Sequence, residues 1–513
     1  MLAALLPVHG LPVRQSMKIP RRALIVVLLL LAALAWRLPN LGKTLDDDEF
    51  WTFRATQASW GQMIDDLVAQ DSHPPLYYFL LKAWGRIDSG EAWARFLNVL
   101  AGVVALLVVY RIACRVQREK SALTTLGLAA ILPQAVWNSQ YLRSYMLAGL
   151  FSVLGIYAAG RFFEEPDRRR LWKWAALFVL GATVSLYSFY FSGLLLAAVG
   201  VYGIWKAGRS GKLKWWIACQ AATLLLFAPW VPYLIRQLPV FINHPQMTAR
   251  AGFYLGGVHR GGIARGALGI LGLDQDLFAE LPLHEVFSSA VLAAATLLAV
   301  VLLAVIAWRG YRELAREDGG REWAPLLAVC LVGPFLLALA AHEGLGIVLT
   351  SRYFLASSLI MPILFAGFVW SLKGPWAAGA LVLLTVFFIF RDQAVVRYEI
   401  VDFKGAAAFT RANVIAGGVV IVPDDRRFSD YMQREKAFPG DQVFIRAKEF
   451  IEDPRRIERE SGKVLLFEID KLENHQLNDL VSRKLAEAKL KVVIAGKFGI
   501  MRAFVLEGGA GSR

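Results

Sequence analysis

What most constrains this chain is a recurrence. Apolar runs of about 20 residues, each long enough to cross a bilayer as a helix, return again and again, and short loops rich in lysine and arginine separate them. Of the 513 residues, 57% are apolar and 19% charged, which is too apolar for a hydrated globular surface. The net charge of +15 sits mainly in those short loops. That pattern orders a membrane topology and offers no basic, aromatic-laced patch for nucleic acid. Cys114, Cys219 and Cys330 lie in or beside apolar runs and give neither a disulfide framework nor metal spacing.

Taken in order, the runs predict about eleven transmembrane helices. The first sixteen residues carry no pattern, and a start at Met17 would give a conventional basic N-terminus (Lys18, Arg21, Arg22). Residues 1–22 are therefore expected in the cytoplasm, with 23–41 as an uncleaved anchor. Further spans are expected at 91–112, 121–137, 141–163, 215–233, 285–308, 323–341, 347–371 and 376–390. The charge-free stretch 174–205 is too long for one straight span and is flanked by basic residues at both ends, so it reads as a helical hairpin turning near 187–193. Between the first two spans, 42–90 forms an outer loop. In it, 49–70 reads as one interfacial helix, Asp71-Ser72-His73-Pro74-Pro75 as its break, and 76–84 as a second short interfacial piece. Asn138-Ser139-Gln140 reads as a short outer turn, and 234–284 as a second long outer loop holding His244, His259 and His284, too scattered for a metal site.

From Arg391 charges become frequent and apolar runs shorten. Residues 419–422, 464–469 and 492–495 read as strands and 472–490 as a helix, so 391–513 is expected to be a water-soluble α/β domain. An odd number of spans from a cytoplasmic N-terminus puts this domain outside. The expected fold is thus a polytopic α-helical membrane domain over 23–390 followed by a soluble α/β domain.

Within that topology the outer face collects a specific chemistry. Four consecutive acids, Asp46 to Glu49, follow the first span. Asp46 and Asp47 read as a solvated stop, and Asp48 and Glu49 as the reactive pair. Asp71, His73 and Arg95 stand beside them as supporting residues. Arg143 and Arg352 lie at the outer ends of two spans, where a guanidinium either snorkels to the interface or clamps an anion of phosphate geometry. Tyr145 and Lys82 are candidates for the same anion, and Tyr353 supports Arg352.

The ordered set Leu45 to Phe50 (LDDDEF), Asp71 to Tyr78 (DSHPPLYY), Glu91 to Leu97 (EAWARFL), Leu142-Arg143-Ser144-Tyr145 and Ser351-Arg352-Tyr353 with Pro362 resembles the GT-C superfamily of membrane glycosyltransferases. Within it, the chain is most similar to the bacterial protein O-mannosyltransferase / aminoarabinose-transferase-like branch. Asp402-Phe403-Lys404-Gly405 resembles the start of that branch's outer C-terminal domain. The resemblance implies the GT-C fold, a polyprenyl-phosphate-sugar donor used at the outer face of a bacterial cytoplasmic membrane, and a glycan, lipid or protein acceptor. No cofactor beyond that co-substrate is expected, and nothing in the sequence supports or decides a divalent-metal requirement. Carried over residue by residue, Asp48 is the base of an inverting displacement, Glu49 its orienting partner, and Arg143 and Arg352 the holders of the donor phosphate. Asn138-Ser139-Gln140 departs from branches that carry a second acid there. The competing expectation is a transporter or flippase for a lipid-linked glycan, which calls for ionisable residues at mid-bilayer and repeat symmetry.

Overall fold

A computed structural model describes residues 21–243, 289–345, 351–397, 402–413, 419–422, 426–437, 443–446, 463–469, 483, 490–498 and 501–508. The histidines at 244, 259 and 284 and most of the helix expected over 472–490 lie outside the described residues. The chain opens with α1 (Arg21–Arg37), α2 (Asp47–Gln57), α3 (Trp60–Gln70), α4 (Leu76–Trp84) and α5 (Glu91–Val116). Next come α6 (Glu119–Ala130), α7 (Pro133–Gln140), α8 (Tyr145–Glu164), α9 (Leu171–Ser188), α10 (Ser192–Arg209), α11 (Leu213–Phe227) and α12 (Val231–Asn243). Later helices cover Ser289–Leu314, Asp318–Leu345, Leu355–Ser371 and Pro375–Arg397.

Among the described residues, seven helices are long and apolar enough to cross a membrane, so this is a multi-pass membrane protein. The other segments expected as spans also carry helices among the described residues, but α1 has 17 residues and α6 only 12. The two most enclosed spans are Tyr145–Glu164 and Arg352–Ser371, each 78% buried within the protein. Peripheral helices keep apolar faces outward: Leu225 on α11 is 72% exposed and Leu383 on Pro375–Arg397 is 71% exposed. Such faces suit hydrocarbon, since a helix already satisfies its own backbone. The contact between α8 and α9 is close because glycine faces backbone. A Cβ on Gly181 would stand 2.8 Å from Phe151 O and 2.9 Å from Gly155 N, the small-residue packing that lets membrane helices approach.

Several expected boundaries move, each for a local reason. The interfacial helix over 49–70 is two helices, because Ser59 caps a new start by accepting from Gln62 N at 3.3 Å. The span over 121–137 is broken between α6 and α7, where Pro133 opens the second piece and cannot donate into a continuing helix. Asn138-Ser139-Gln140 consequently closes α7, and the turn falls at 141–144. The hairpin over 174–205 is present, as α9 and α10, and turns at 189–191. The span expected at 376–390 is found at Pro375–Asp392, and its helix runs on to Arg397.

Beyond it, helices Phe403–Asn413 and Arg426–Arg434 accompany five strands: β1 (Val419–Val422), β2 (Val443–Arg446), β3 (Lys463–Ile469), β4 (Leu490–Phe498) and β5 (Met501–Gly508). The sheet order is β2-β1-β3-β5-β4. Strand β1 runs parallel to β2 and β3, and β5 antiparallel to β3 and β4. Phe403, Phe428, Tyr431, Leu465 and Phe467 form its core. The three expected strands are found; β2 and β5 were not expected from the sequence.

Candidate active site

The four acids after the first span sit on a helix start that they themselves create. Asp46 is the cap: its Oδ1 accepts from Glu49 N at 2.8 Å, and Asp46 N donates back to Glu49 Oε2 at 3.2 Å. This reciprocal box satisfies two otherwise orphaned amides, and acids in a first helical turn are favoured by its positive end. The turn gives each acid a different direction. Asp46 is thus a cap rather than a solvated residue, and Asp47 pairs with Arg427 Nε at 2.9 Å. Partial burial, then the charges of Glu49 and Asp48, push the Asp46 carboxyl up to about 7.

Glu49 points inward and is 1% exposed. Its oxygens take Arg95 Nε at 2.8 Å, Arg95 Nη2 at 2.6 Å and Leu142 N at 2.8 Å. Arg95, on α5, also donates to the carbonyls of Leu41 and Lys43 at 2.6 Å each and of Thr44 at 3.2 Å. One guanidinium therefore gathers the whole turn from 41 to 49. With every oxygen occupied from inside, Glu49 positions the turn and does not face a substrate.

Asp48 points the other way. Its carboxylate accepts from Arg352 Nη1 at 3.2 Å and from the Tyr141 hydroxyl at 3.2 Å, and its side chain remains 46% exposed. Burial works against its charge, but the guanidiniums of Arg143 and Arg352 outweigh that and hold the carboxyl well below the usual range. Arg352 lies across the rings of Tyr141 and Tyr145 and donates to the Tyr145 hydroxyl at 3.4 Å. Tyr353 stacks on Phe191 with ring centroids 3.9 Å apart, which fixes the short 3₁₀ turn Ser351–Phe354 that carries Arg352.

Arg143 lies one layer deeper, its side chain 5% exposed. It donates to Thr52 Oγ1 at 2.7 Å and to the Asp48 carbonyl at 3.3 Å, and its Nη2 stands 2.9 Å from His73 Nδ1. Its Nε is buried and has no hydrogen-bond partner among the described residues. Asp71 completes this layer, bonded to His73 Nδ1 at 2.8 Å and to the Tyr78 hydroxyl. Burial opposes the Asp71 charge, yet His73 and Arg143 hold its carboxyl far below the ordinary range. Burial first, then Arg143, lowers His73 and favours the neutral ring.

The fold thus brings together Asp48, Glu49, Asp71, His73, Arg95, Arg143, Tyr145, Arg352 and Tyr353. It does not bring Lys82 to them. Lys82 Nζ donates to Thr56 O at 2.9 Å and to Ala58 O, capping the far end of α2. At 1.5 Å per residue that end is roughly 14 Å from Asp48. Tyr141, Tyr78 and Thr52 are site residues that sequence reasoning missed. The first was within reach, since Tyr141 and Tyr145 flank Arg143 symmetrically. Among the described residues no group of three or more His, Cys, Asp or Glu could hold a metal ion.

Comparison with known proteins follows this geometry. Residues 72–233 match the family model for dolichyl-phosphate-mannose-protein mannosyltransferase, a segment that includes His73, Arg95 and Arg143 but neither Asp48 nor Arg352. No curated protein matches the chain. Among solved structures, ArnT from Cupriavidus metallidurans in the apo state is similar at a TM-score of 0.50 and 13% identity, over 94% of this chain and 97% of that one. The same protein bound to undecaprenyl phosphate gives a TM-score of 0.50 at 12% identity, with the same coverage. The apo oligosaccharyltransferase of Archaeoglobus fulgidus gives 0.51 at 14% identity, over 95% of this chain and 75% of that one. The likeness in architecture runs nearly end to end. It shows for this chain the fold of the GT-C membrane glycosyltransferases.

Proposed function

We propose that the protein transfers a sugar from a polyprenyl-phosphate donor to a hydroxyl acceptor at the outer face of a bacterial cytoplasmic membrane, by inverting single displacement with Asp48 as base. The observation that carries this reading is the pairing of the half-exposed Asp48 carboxylate with the Arg352 guanidinium at 3.2 Å. A proton acceptor and an anion holder then stand side by side at an open position. The likeness to ArnT, whose structure was determined with undecaprenyl phosphate, supports the donor class.

In this reading the acceptor oxygen attacks the anomeric carbon as its proton passes to Asp48. The bond from that carbon to the phosphate oxygen breaks, and the phosphate leaves with the electron pair. Arg352 meets the phosphate directly, and Arg143 adds positive charge from behind, where charge develops in the transition state. A carboxylate held as low as Asp48 is a weak proton acceptor in the empty site. As Arg352 turns toward a bound phosphate, the carboxylate loses a neutralising partner and its proton affinity rises. Glu49 and Arg95 fix the turn that aims it. The acceptor is a glycan, a lipid or a protein. Transport of a lipid-linked glycan is not favoured, because the ionisable site residues gather in one cluster, where Asp48 pairs with Arg352, Glu49 with Arg95 and Asp71 with Arg143.

The test is Asp48→Asn in the purified protein. Transfer should fall by about 10²–10⁴-fold, the range for a general base, while undecaprenyl phosphate still binds. Near-normal turnover would remove Asp48 from the mechanism. Mass spectrometry of lipid-linked sugars and envelope glycans in a deletion strain identifies the sugar and acceptor for that assay.

A further inference from the structure

The acidic turn is held from a second side, by the C-terminal domain. Leu45 N donates to the Tyr431 hydroxyl at 2.9 Å, and that hydroxyl donates to Glu91 Oε1 at 2.7 Å. A hydroxyl has one proton, so with it given to Glu91 the oxygen is left as the acceptor for the Leu45 amide. Lys404 Nζ reaches Glu91 Oε2 at 2.8 Å and Gly42 O at 2.6 Å. Arg427 pairs with Asp47 at 2.9 Å, and the Arg434 guanidinium lies 5.5 Å from the centre of the Phe53 ring on α2.

The stretch Asp402-Phe403-Lys404 builds this contact. Asp402 Oδ1 accepts from Gly405 N at 2.7 Å and starts the helix. Phe403 stacks behind Tyr431 with centroids 5.6 Å apart, and Lys404 reaches over to the turn. Glu91 opens α5 and Arg95 lies one helical turn on, on the same face. Residues 42–49 are thereby clasped between Arg95 below and Tyr431, Lys404 and Arg427 above.

We propose that Tyr431, assisted by Lys404, is a positioning residue: the C-terminal domain latches the acidic turn and so sets where Asp48 stands. The chemical consequence rests on the transferase reading of Asp48; the latch itself does not. The sheet domain is then part of the active-site architecture, and a change at its docking face acts on Asp48 without touching it.

The experiment is hydrogen exchange of the full-length protein in nanodiscs, comparing wild type, Tyr431→Phe, Lys404→Gln and the control Arg411→Gln, whose partner Glu435 lies within the domain. Loss of one hydrogen bond should speed exchange in peptides covering 41–50 by about five- to tenfold. Exchange in α5 and in the strands should not change, nor should exchange in the control. Affinity for undecaprenyl phosphate should stay within about twofold of wild type, since a hydrogen bond to ligand would cost more. Unchanged exchange over 41–50 in both Tyr431→Phe and Lys404→Gln would overturn the proposal. So would acceleration spread equally over the strands, or a parallel loss of undecaprenyl phosphate affinity. If the wild type binds no undecaprenyl phosphate, the transferase reading fails, while the exchange result still decides the latch.

Discussion

Asp48 and Glu49 are adjacent in sequence and opposite in surroundings, so replacing each by its amide should separate stability from chemistry. Glu49 is 1% exposed and accepts three hydrogen bonds at 2.6–2.8 Å from Arg95 and Leu142. Gln keeps the shape but presents an NH₂ group to donors that have no use for it. Breaking one side of a buried ion pair costs about 3–5 kcal/mol. Arg95 would keep its carbonyl partners at Leu41, Lys43 and Thr44, which argues for the lower end, about 3 kcal/mol. That is over a hundredfold in the unfolding equilibrium at about 1.4 kcal/mol per tenfold. Asp48 faces Arg352 with both side chains partly open, 46% and 35% exposed, and such pairs contribute about 0–1 kcal/mol. The assay is unfolding by SDS titration in mixed micelles, followed through tryptophan fluorescence, with transfer measured on the same preparations. Glu49→Gln should unfold at markedly lower SDS, whereas Asp48→Asn should unfold with the wild type and lose transfer. A Glu49→Gln protein as stable as wild type would refute the clamp; an Asp48→Asn protein equally destabilised would refute the assignment of Asp48 to an open, non-structural position.

Three further outcomes are expected. Asp46 ionises near pH 7 in the fold against about 4 unfolded, so the folded state binds more protons between those values and stability falls as pH rises through that window. Asn caps a helix as well as Asp does, so Asp46→Asn should raise the thermal midpoint at pH 8 and change it little at pH 4; equal shifts at both would contradict the assignment. Lys82→Met should lower stability by about 1 kcal/mol through loss of the α2 cap and leave undecaprenyl phosphate affinity intact; a selective loss of affinity would return Lys82 to the donor site. Arg352→Gln and Arg143→Gln should both weaken use of the donor, and Arg143→Gln should also destabilise the protein, since it leaves Asp71 and His73 buried without their guanidinium. A defect confined to the acceptor side would count against both roles.

Much of the membrane architecture was legible because hydrophobic length and loop charge are local quantities. The hairpin at 174–205 could be read from a stretch without charge bounded by basic residues. The break at Pro133 was passed over because the apolar run continues through it, and hydropathy does not register a missing N–H. The site was legible as a set of residues on one face, since topology alone selects them. Their division of labour was not. Whether Asp48 or Glu49 faces outward depends on which side of α2 meets Arg95, and that contact joins residues 46 positions apart. Lys82 was misjudged for the same reason: its partners are backbone carbonyls at the end of a helix whose end the sequence did not mark. The grip of Tyr431 on Leu45 links positions 386 apart through a hydroxyl and an amide, and no composition or periodicity records such a pair.

These separations also set an order in time. The acidic turn is synthesised 46 residues before the arginine that gathers it, 304 before Arg352 and 386 before Tyr431. Until α5 (Glu91–Val116) is made, its only fastening is its own Asp46–Glu49 capping box. The Asp48 carboxylate meets Arg352 only when the late spans are in place, and the turn gains its second clasp only when the last domain folds. A chain cut short in its final quarter would thus carry a nearly complete membrane region and an acidic turn secured from one side.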